Sequence, residues 1–217
     1  MMVRSKIARL FNLRRGLSPG WLKFALLVLT DPALSYLNYY IRNKHRLNIK
    51  DPRPHYAFHT LSWLETMFKE NRIGKVFEWG AGNSTLYYAR MGCKVVTVEH
   101  DRKWADMLLN CIEANKIANI QLMYCENKSE YINVPASVLT EADLIVVDGR
   151  FRVECALYIA ELIRSGILKD KIILFDDAQR ERYKPGIQAL KRLSSDWEAF
   201  TGLIWVDLDH LTLVFVI

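Results

Sequence analysis

Cysteine is scarce in this sequence, and the four cysteines are widely separated. Cys93, Cys111, Cys125 and Cys155 form no Cys-x-x-Cys pair, a spacing that excludes the common zinc sites and a disulfide scaffold. Reduced, buried thiols are the usual state of such cysteines in a cytosolic protein. We therefore expect a cytoplasmic location.

Long hydrophobic runs are also missing. The longest, residues 21–30, contains Lys23 and stops at Asp31-Pro32, and it has about half of the ~20 residues that a membrane-spanning helix needs. No small-residue cleavage site follows it, which argues against a secretory signal peptide. The run is instead predicted to form a helix that packs on the protein or lies at a membrane surface.

Acidic residues are nearly absent from the first fifty positions. This segment carries ten Lys or Arg residues and one acid, Asp31, whereas residues 51–217 carry twenty basic and 23 acidic residues. The net charge of +6 therefore comes wholly from the N-terminal segment. A segment of this kind favours an anionic partner, and we expect peripheral contact of residues 1–50 with the inner face of a membrane. The alternative is a solvated helical surface, and no strong nucleic-acid-binding signature is present.

Two prolines mark a boundary near position 53. Proline disfavours helix in the residue before it, so the stretch Asp51-Pro52-Arg53-Pro54 is predicted to be a stiff connector. Before it, Asp31 and Pro32 are a suitable N-cap and first residue for a helix that runs to about residue 42. We expect two parts: a basic helical extension, residues 1–53, and a folded domain, residues 54–217.

The second part alternates between apolar, strand-like runs and helical segments. Near-continuous apolar strands in regular β–α alternation predict a parallel sheet that is covered on both faces. Gly166 stands where the helix after the fourth strand should end. The strand candidates are residues 75–78, 94–99, 120–124, 143–148 and 171–176, and the helical stretches include residues 104–115 and 152–164.

The C-terminal residues depart from this alternation. Residues 201–206 and 211–217 both resemble strands, and the polar residues 207–210 between them leave no room for the crossover that a parallel pair requires. The two strands are therefore predicted to form an antiparallel hairpin. The expected fold class is α/β: a Rossmann-like, doubly wound, mostly parallel sheet that ends in an antiparallel β-hairpin, with an N-terminal helical extension.

A glycine turn follows the first strand. Gly80 and Gly82 permit a tight turn and let a ligand approach the backbone, and Asn83 or Ser84 is a candidate cap for the next helix. Thr85 occupies the third glycine position of a dinucleotide fingerprint, so the match to a pyrophosphate site is incomplete.

Two acids flank this turn. The Glu78 carboxylate would repel a pyrophosphate and suits a ligand with a cationic group, such as an ammonium. Glu99 ends the second strand, seventeen residues after Gly82, and an acid about 20 residues past the glycines reaches the ribose hydroxyls in a Rossmann unit. His100 is kept as a further cofactor contact. The alternative is a plain tight turn with a solvent-facing Glu99.

The segment Glu78-x-Gly80-x-Gly82-x-Ser84-Thr85 resembles motif I of class I S-adenosylmethionine-dependent methyltransferases. Together with residues 98–101, 147–152 and 176–183, it is similar to a group of small bacterial methyltransferase-like proteins, over residues 56–217. The nearest candidates for an adenine contact after the third strand are Glu126 and Asn127. The resemblance implies S-adenosylmethionine as cofactor, bound by Glu78, Gly80, Gly82, Asn83, Ser84, Glu99 and His100.

Three carboxylates are predicted at the carboxyl edge of the sheet, beyond which doubly wound proteins bind their ligands. Asp148 follows the fourth strand, and Asp176 and Asp177 follow the fifth. In one interpretation these are catalytic residues, with Asp148 accepting a proton from a hydroxyl nucleophile. In another they bind Mg²⁺, an arrangement that resembles metal-dependent O-methyltransferases. The alternative without chemistry is that Asp177 caps a helix and Asp148 pairs with a neighbouring arginine.

Four arginines fall at the same edge. Guanidinium groups bind phosphates and carboxylates, and we expect Arg150, Arg152 and Arg180 to bind substrate, with Arg182 nearby. The alternative is that they neutralise the aspartates. His55 and His59 are set aside, because a lone histidine is more often structural.

The predicted function is methyl transfer from S-adenosylmethionine to an oxygen of a small or saccharide-like polar acceptor. Asp148-Gly149-Arg150-Phe151 replaces the Asn/Asp-Pro-Pro-aromatic motif of enzymes that methylate amino groups of bases. Aminopropyl transfer would need an acidic pocket for a polyamine, which conflicts with the arginines. An alternative from another class is a non-catalytic Rossmann-like module with a basic arm that binds membrane or nucleic acid.

Overall fold

The computed structural model describes residues 46–204 and 207–217. The predictions for residues 1–45, which include the apolar run, the helix from Asp31 and most of the basic segment, lie outside the described residues. Within the described residues, every helix is too short or too polar to span a bilayer.

One seven-stranded sheet organises the described part of the chain. Its strands are β1 (Lys75–Trp79), β2 (Lys94–Glu99), β3 (Ile120–Tyr124), β4 (Leu144–Val147), β5 (Ile172–Phe175), β6 (Asp196–Ile204) and β7 (Asp207–Val216). They lie in the order β3-β2-β1-β4-β5-β7-β6. β1 to β5 pair in parallel, and β7 pairs antiparallel with β5 and β6. The predicted fold class is confirmed, and the strand order reverses between β1 and β4.

Helices cover both faces of this sheet. They are α1 (Phe58–Lys69), α2 (Asn83–Arg90), α3 (Arg102–Ala114), α4 (Lys128–Ile132), α5 (Ala136–Glu141), α6 (Arg152–Arg164) and α7 (Lys184–Lys191), with a 3₁₀ turn at Glu181–Tyr183. Alternate residues of β4 belong to different cores: Ile145 and Val147 face one, Leu144 and Val146 the other. Because both faces are buried, the strand has no polar alternation in its sequence.

The predicted boundaries hold within a few residues. Helix 152–164 and strands 94–99 and 120–124 are confirmed as predicted. α3 begins two residues before the predicted start, because the Asp101 side chain accepts a hydrogen bond from Trp104 N at 3.0 Å and caps the helix. β4 is shorter than predicted at both ends.

The C-terminal hairpin is confirmed, but its predicted linker is wrong. Residues 207–210 belong to β7, and β6 begins at Asp196. The register pairs Gly202 with His210 and Thr201 with Leu211. The polar residues 207–210 predicted a loop, but polarity does not mean solvent exposure here. His210 is only 5% exposed and contacts a buried carboxylate, Asp176.

The segment before α1 packs against the sheet domain. Asn83 at the start of α2 donates to Arg46 O at 2.8 Å and accepts from Asn48 N at 2.7 Å. Tyr56 is fully buried, and its hydroxyl accepts a hydrogen bond from the Tyr88 hydroxyl at 2.9 Å. Residues 46 and 48 are thus held on α2 and residue 56 is held in the core, and the domain boundary at residue 53 stays a prediction.

Candidate functional site

A cavity of about 230 Å³ opens at the carboxyl edge of the sheet, where the strand order reverses between β1 and β4. In open α/β sheets this switch point is the usual position of a ligand, because the two loops diverge there. Six of the seven residues predicted to bind a cofactor line this cavity: Gly80, Gly82, Asn83, Ser84, Glu99 and His100. The seventh, Glu78, lies behind the glycine turn.

The loops after β1 and β4 touch each other at Gly80 and Gly149. Gly80 has a φ of 99°, and a Cβ atom on it would lie 2.6 Å from Gly149 Cα. A Cβ on Gly149 would lie 2.8 Å from Gly80 N and 2.0 Å from the Tyr131 hydroxyl oxygen. Glycine is required at both positions because two backbones occupy the space of side chains. The requirement for glycine is predicted from the sequence at Gly80 but not at Gly149, because the residues that crowd Gly149 are distant from it in the sequence.

Of the two roles predicted for Gly82, the structure removes the tight turn, and the close approach of a ligand to its backbone stays a prediction. Its φ is 176°, which is extended backbone that any residue adopts, so the tight turn depends on Gly80 alone. A Cβ on Gly82 would lie 3.8 Å from the Trp104 indole, an ordinary contact. The missing side chain leaves backbone and the Trp104 ring exposed to the cavity. Trp104 itself was missed, and its Nε1 donates to Ala81 O across the turn.

The N-terminus of α2 is capped differently from the prediction. Gly82 is the N-cap residue, and its backbone N–H donates to Thr85 Oγ1 at 2.9 Å. Asn83 lies in the first helical turn and uses its side chain to hold the segment before α1. Ser84 also lies in that turn, and it is buried beside the glycine turn. The Thr85 hydroxyl in turn donates a hydrogen bond to Glu78 Oε2 at 2.5 Å.

Glu78 is a fully buried carboxylate. Its Oε1 atom has no hydrogen-bond partner among the described residues. Burial is the main cause that raises the pKa of Glu78 to about 7; hydrogen bonds from Ser84 and Thr85 oppose the rise, and the Glu99 charge adds to it. A proton therefore binds to this carboxyl group near neutral pH, and a cationic group beside it would displace that proton.

Replacement of Glu78 by glutamine is expected to change the pH dependence of stability. The folded-state pKa lies above the unfolded value, so the contribution of Glu78 to stability is fully present below the unfolded pKa and decreases as pH rises through about 7. Between about pH 5.5 and pH 8 the free energy of unfolding should fall by about 2 kcal/mol through this group. In Glu78→Gln, which cannot titrate at this position, the free energy of unfolding should not show this contribution to the fall.

Urea titrations of the two proteins across this pH range measure the difference. Glu113→Gln, on the exposed surface of α3, is a suitable control and should retain the wild-type slope. Parallel curves for wild type and Glu78→Gln would contradict the assignment of a raised pKa to Glu78.

Glu99 is held in one orientation by the backbone around the cavity. Its Oε1 accepts from His100 N and Asp101 N, both at 2.8 Å, and its Oε2 accepts from Ala81 N at 3.1 Å. The side chain is 5% exposed, and the His100 ring nitrogen Nδ1 lies 2.8 Å from Oε1. Oε1 already accepts two hydrogen bonds, whereas Oε2 accepts one and keeps a lone pair for another donor, so a fixed acceptor faces the cavity. The solvent-facing alternative does not describe this residue.

The three predicted acids meet around Arg152, which is 8% exposed. Its Nη2 donates to Asp148 Oδ1 at 2.8 Å and to Asp148 O at 2.7 Å. Its Nη1 donates to Asp176 O at 2.6 Å and lies 3.1 Å from Asp177 Oδ2. Its Nε donates to Gly149 O at 3.0 Å. One guanidinium group thus ties together the ends of β4 and β5.

Asp176 has further partners on the hairpin. Its Oδ1 accepts from Thr212 Oγ1 at 2.7 Å and lies 2.9 Å from His210 Nε2. Burial raises the pKa of Asp176, but His210 and Arg152 outweigh burial and hold it below the ordinary value. Burial lowers the pKa of His210, but Asp176 outweighs it and holds that pKa above the ordinary value. His210 and Thr212 were missed, although two polar residues at a spacing of two in an apolar strand are a signal for such a contact.

Asp148 differs from the other two acids. Its side chain is 21% exposed and lines the cavity, which Asp176 and Asp177 do not. Burial raises the pKa of Asp148; Arg152 opposes the rise, and the charges of Asp176 and Asp177 add to it. Of the three predicted catalytic residues, the structure thus places only Asp148 against the cavity.

The donor set does not fit the predicted Mg²⁺ site. Ligand atoms of Asp176, Asp177 and His210 lie within 4.8 Å of one another, but Asp148 is outside this group and the group includes a ring nitrogen. Asp177 Oδ2 is shared by Arg152 and Arg180, the latter at 2.9 Å. Mg²⁺ requires open oxygen ligands in an octahedral arrangement, and cationic side chains already occupy these carboxylates.

The arginines separate into two groups. Arg152 and Arg180 are paired with aspartates, as the alternative interpretation held. Arg150 is exposed and lines the cavity. His55, set aside in the sequence argument, also lines the cavity.

Comparison with solved structures relates this fold to methyltransferases. A methyltransferase-like protein from Silicibacter pomeroyi is 21% identical, with 78% of this chain and 90% of that chain covered and a TM-score of 0.55. An O-methyltransferase from Bacillus cereus, solved with SAH, is 17% identical, with 90% and 97% covered and a TM-score of 0.57. A SAH-bound methyltransferase from Podospora anserina is 17% identical, with 94% and 99% covered and a TM-score of 0.53.

These likenesses establish that the chain has the class I methyltransferase fold. Neither a protein-family model nor a curated protein sequence matches the chain.

Proposed function

We propose that this protein is an S-adenosylmethionine-dependent methyltransferase. The observation that carries the proposal is the cavity at the switch point, where the bare backbone of Gly80 and Gly82, the oriented carboxylate of Glu99 and the Trp104 ring meet. The shared fold with SAH-bound enzymes supports it. A small-molecule acceptor with an oxygen nucleophile, such as a saccharide-like compound, is part of the proposal.

The residues around the cavity fit this cofactor. Glu99 presents a carboxylate fixed by three backbone N–H groups, and the remaining lone pair of Oε2 suits a ribose hydroxyl. The unpartnered, buried Oε1 of Glu78 suits a cationic group close to the glycine turn. Asn83, Ser84 and His100 complete the proposed binding residues. When bound, S-adenosylmethionine supplies a methyl group that its sulfonium already activates.

Asp148 is the proposed general base. It faces the cavity, and its raised pKa makes it a stronger proton acceptor than an ordinary carboxylate. Arg152 fixes its orientation through Oδ1, and Arg152 is itself anchored by Gly149 O and Asp176 O. Positioning of the acceptor hydroxyl contributes most of the remaining acceleration, on the order of 7–11 kcal/mol in favourable cases. The proposed mechanism assigns no role to Mg²⁺.

Calorimetric titration with S-adenosylmethionine, SAH and NAD tests the proposal. The protein should bind the first two and not NAD, because the Glu78 carboxylate lies close behind the glycine turn and would repel a pyrophosphate. Glu99→Gln should weaken SAH binding by about 1.5–3 kcal/mol, the range for hydrogen bonds to a charged group. Glu113→Gln should bind as the wild type does. Absence of SAH binding by the folded wild-type protein would instead support the non-catalytic module.

The basic N-terminal segment is proposed to place the enzyme at the inner face of a membrane. Ten basic residues lie within residues 1–50, beside the apolar run 21–30, and each basic residue near an anionic leaflet contributes about 1 kcal/mol. Co-sedimentation with phosphatidylserine vesicles should therefore be strong in low salt and weak in high salt. Equal, negligible binding to neutral and anionic vesicles in low salt would rule out the membrane contact.

A further inference from the structure

A second cavity, of about 610 Å³, adjoins the cavity at the switch point. The two share Gly149 and Arg150 in their linings. The second cavity, called the arginine groove below, is bordered by Arg150, Arg180, Arg182, Phe151 and Tyr183. It adjoins the proposed base, since Asp148 immediately precedes the shared Gly149 in the loop after β4. The arginine groove and the cavity that Asp148 lines therefore meet at the loop after β4.

The positive charges of the arginine groove are only partly neutralised. Asp148 and Asp177 compensate Arg152 and Arg180. Glu154, the acidic residue in the lining, binds Lys128 Nζ at 2.5 Å. Arg150 and Arg182 have no carboxylate within ion-pair distance among residues 46–204 and 207–217. The groove therefore offers two uncompensated guanidinium groups to a ligand.

Both of these arginines are held by aromatic residues. Arg182 Nη2 donates to the Tyr183 hydroxyl at 3.0 Å, and its guanidinium carbon lies 4.8 Å from the centre of the Tyr183 ring. The Tyr183 ring packs edge-on against the buried Phe175 at 5.7 Å. The Arg150 backbone N–H donates to the buried Tyr131 hydroxyl at 3.2 Å. The guanidinium group of Arg182 is therefore prearranged, so an anion that binds it loses less free energy to ordering, and the backbone from which Arg150 projects is fixed.

We propose that the arginine groove binds a phosphate monoester group of the methyl acceptor. A phosphate monoester carries a charge of about −1.5 to −2 at neutral pH, which matches the two uncompensated guanidinium groups, whereas one carboxylate would leave one of them unpaired. Guanidinium forks also match phosphate oxygens in bidentate geometry. The inference rests on the proposed methyltransferase function and assigns recognition to Arg150 and Arg182 in place of Arg152 and Arg180.

Titration of the full-length protein with phenyl phosphate tests this inference. Phenyl phosphate should bind, with phenol and benzoate at least about tenfold weaker, since charge-assisted hydrogen bonds distinguish them. Arg182→Gln should weaken phenyl phosphate binding about tenfold, and Arg150→Gln combined with it should weaken binding further. The matched control is Arg164→Gln, at the exposed C-terminal end of α6, which should bind as the wild type does.

Two results would overturn the inference: equal phenyl phosphate affinity of wild type and the double variant, or benzoate binding as tight as phenyl phosphate. SAH titration of the same samples separates this failure from a failure of the proposed function. Arg182 does not line the cavity at the switch point, so Arg182→Gln should bind SAH with wild-type affinity. A protein that binds SAH but shows no arginine-dependent binding of phenyl phosphate would keep the methyltransferase assignment and lose the phosphate assignment.

Discussion

Arg152→Met is expected to destabilise the protein by about 3–5 kcal/mol at pH 8, the range for breaking a buried ion pair by removing one partner. The guanidinium group compensates Asp148 and Asp177 and donates to three backbone carbonyls, those of Asp148, Gly149 and Asp176. Methionine fills a similar volume but supplies neither charge nor donors. The variant leaves carboxylates buried without their main cation, at the junction of β4 and β5.

The effect should diminish as pH falls. Arg152 opposes the raised pKa of Asp148 and helps to hold down the pKa of Asp176. Both values are therefore higher in the variant, so its stability decreases more steeply than that of the wild type as pH rises and is regained as pH falls. Chemical denaturation at pH 5 and pH 8 measures the difference. Arg152→Lys keeps the charge but not the planar fork, so its free energy of unfolding should lie between those of the wild type and Arg152→Met. Arg164→Met, on the exposed end of α6, is the matched control, and equal stability of both Met variants at pH 8 would refute the role of Arg152.

Gly149→Ala is expected to abolish SAH binding and to destabilise the fold by at least about 3 kcal/mol, the upper part of the range for overpacking. The new Cβ atom would lie 2.0 Å from the Tyr131 hydroxyl oxygen, 2.8 Å from Gly80 N and 2.9 Å from Gly80 Cα. A side chain can move away, but two of these atoms are backbone. The two loops must therefore separate, and the cavity between them loses its shape.

Tyr131→Phe separates the two causes of this clash. It removes the hydroxyl but leaves the Gly80 backbone in place, so the double variant Tyr131→Phe/Gly149→Ala should regain only part of the stability and no SAH binding. Gly74→Ala is the control, because its Cβ would meet only Asp143 Oδ2, at an ordinary 3.7 Å. Thermal denaturation and SAH titration of the wild type and the four variants measure both effects. Wild-type SAH affinity in Gly149→Ala would show that the close contact between the two loops is not needed for the shape of the cavity.

The sequence predicted the parts of the site that are local along the chain. Gly80 follows β1 directly and Glu99 ends β2, so a strand pattern and a glycine turn suffice to place both at the same edge. The tight turn predicted at Gly82 is wrong, because φ is a property of the folded turn. The sequence left the role of the arginines open, because residue type does not say whether a guanidinium group faces solvent or three carboxylates.

The sequence by itself determined the fold class. Hydrophobic runs of strand length alternating with helical periods leave few arrangements besides a parallel sheet covered on both faces, and the short C-terminal spacing forces an antiparallel hairpin. Only the tertiary structure decided which polar groups meet. It brought His210 and Thr212 of the hairpin against Asp176, Tyr131 against Gly149, and Arg152 between the ends of two strands. Such contacts join residues far apart in the chain, and because electrostatic and packing energies depend on distances in space, they follow no periodicity that a single sequence displays.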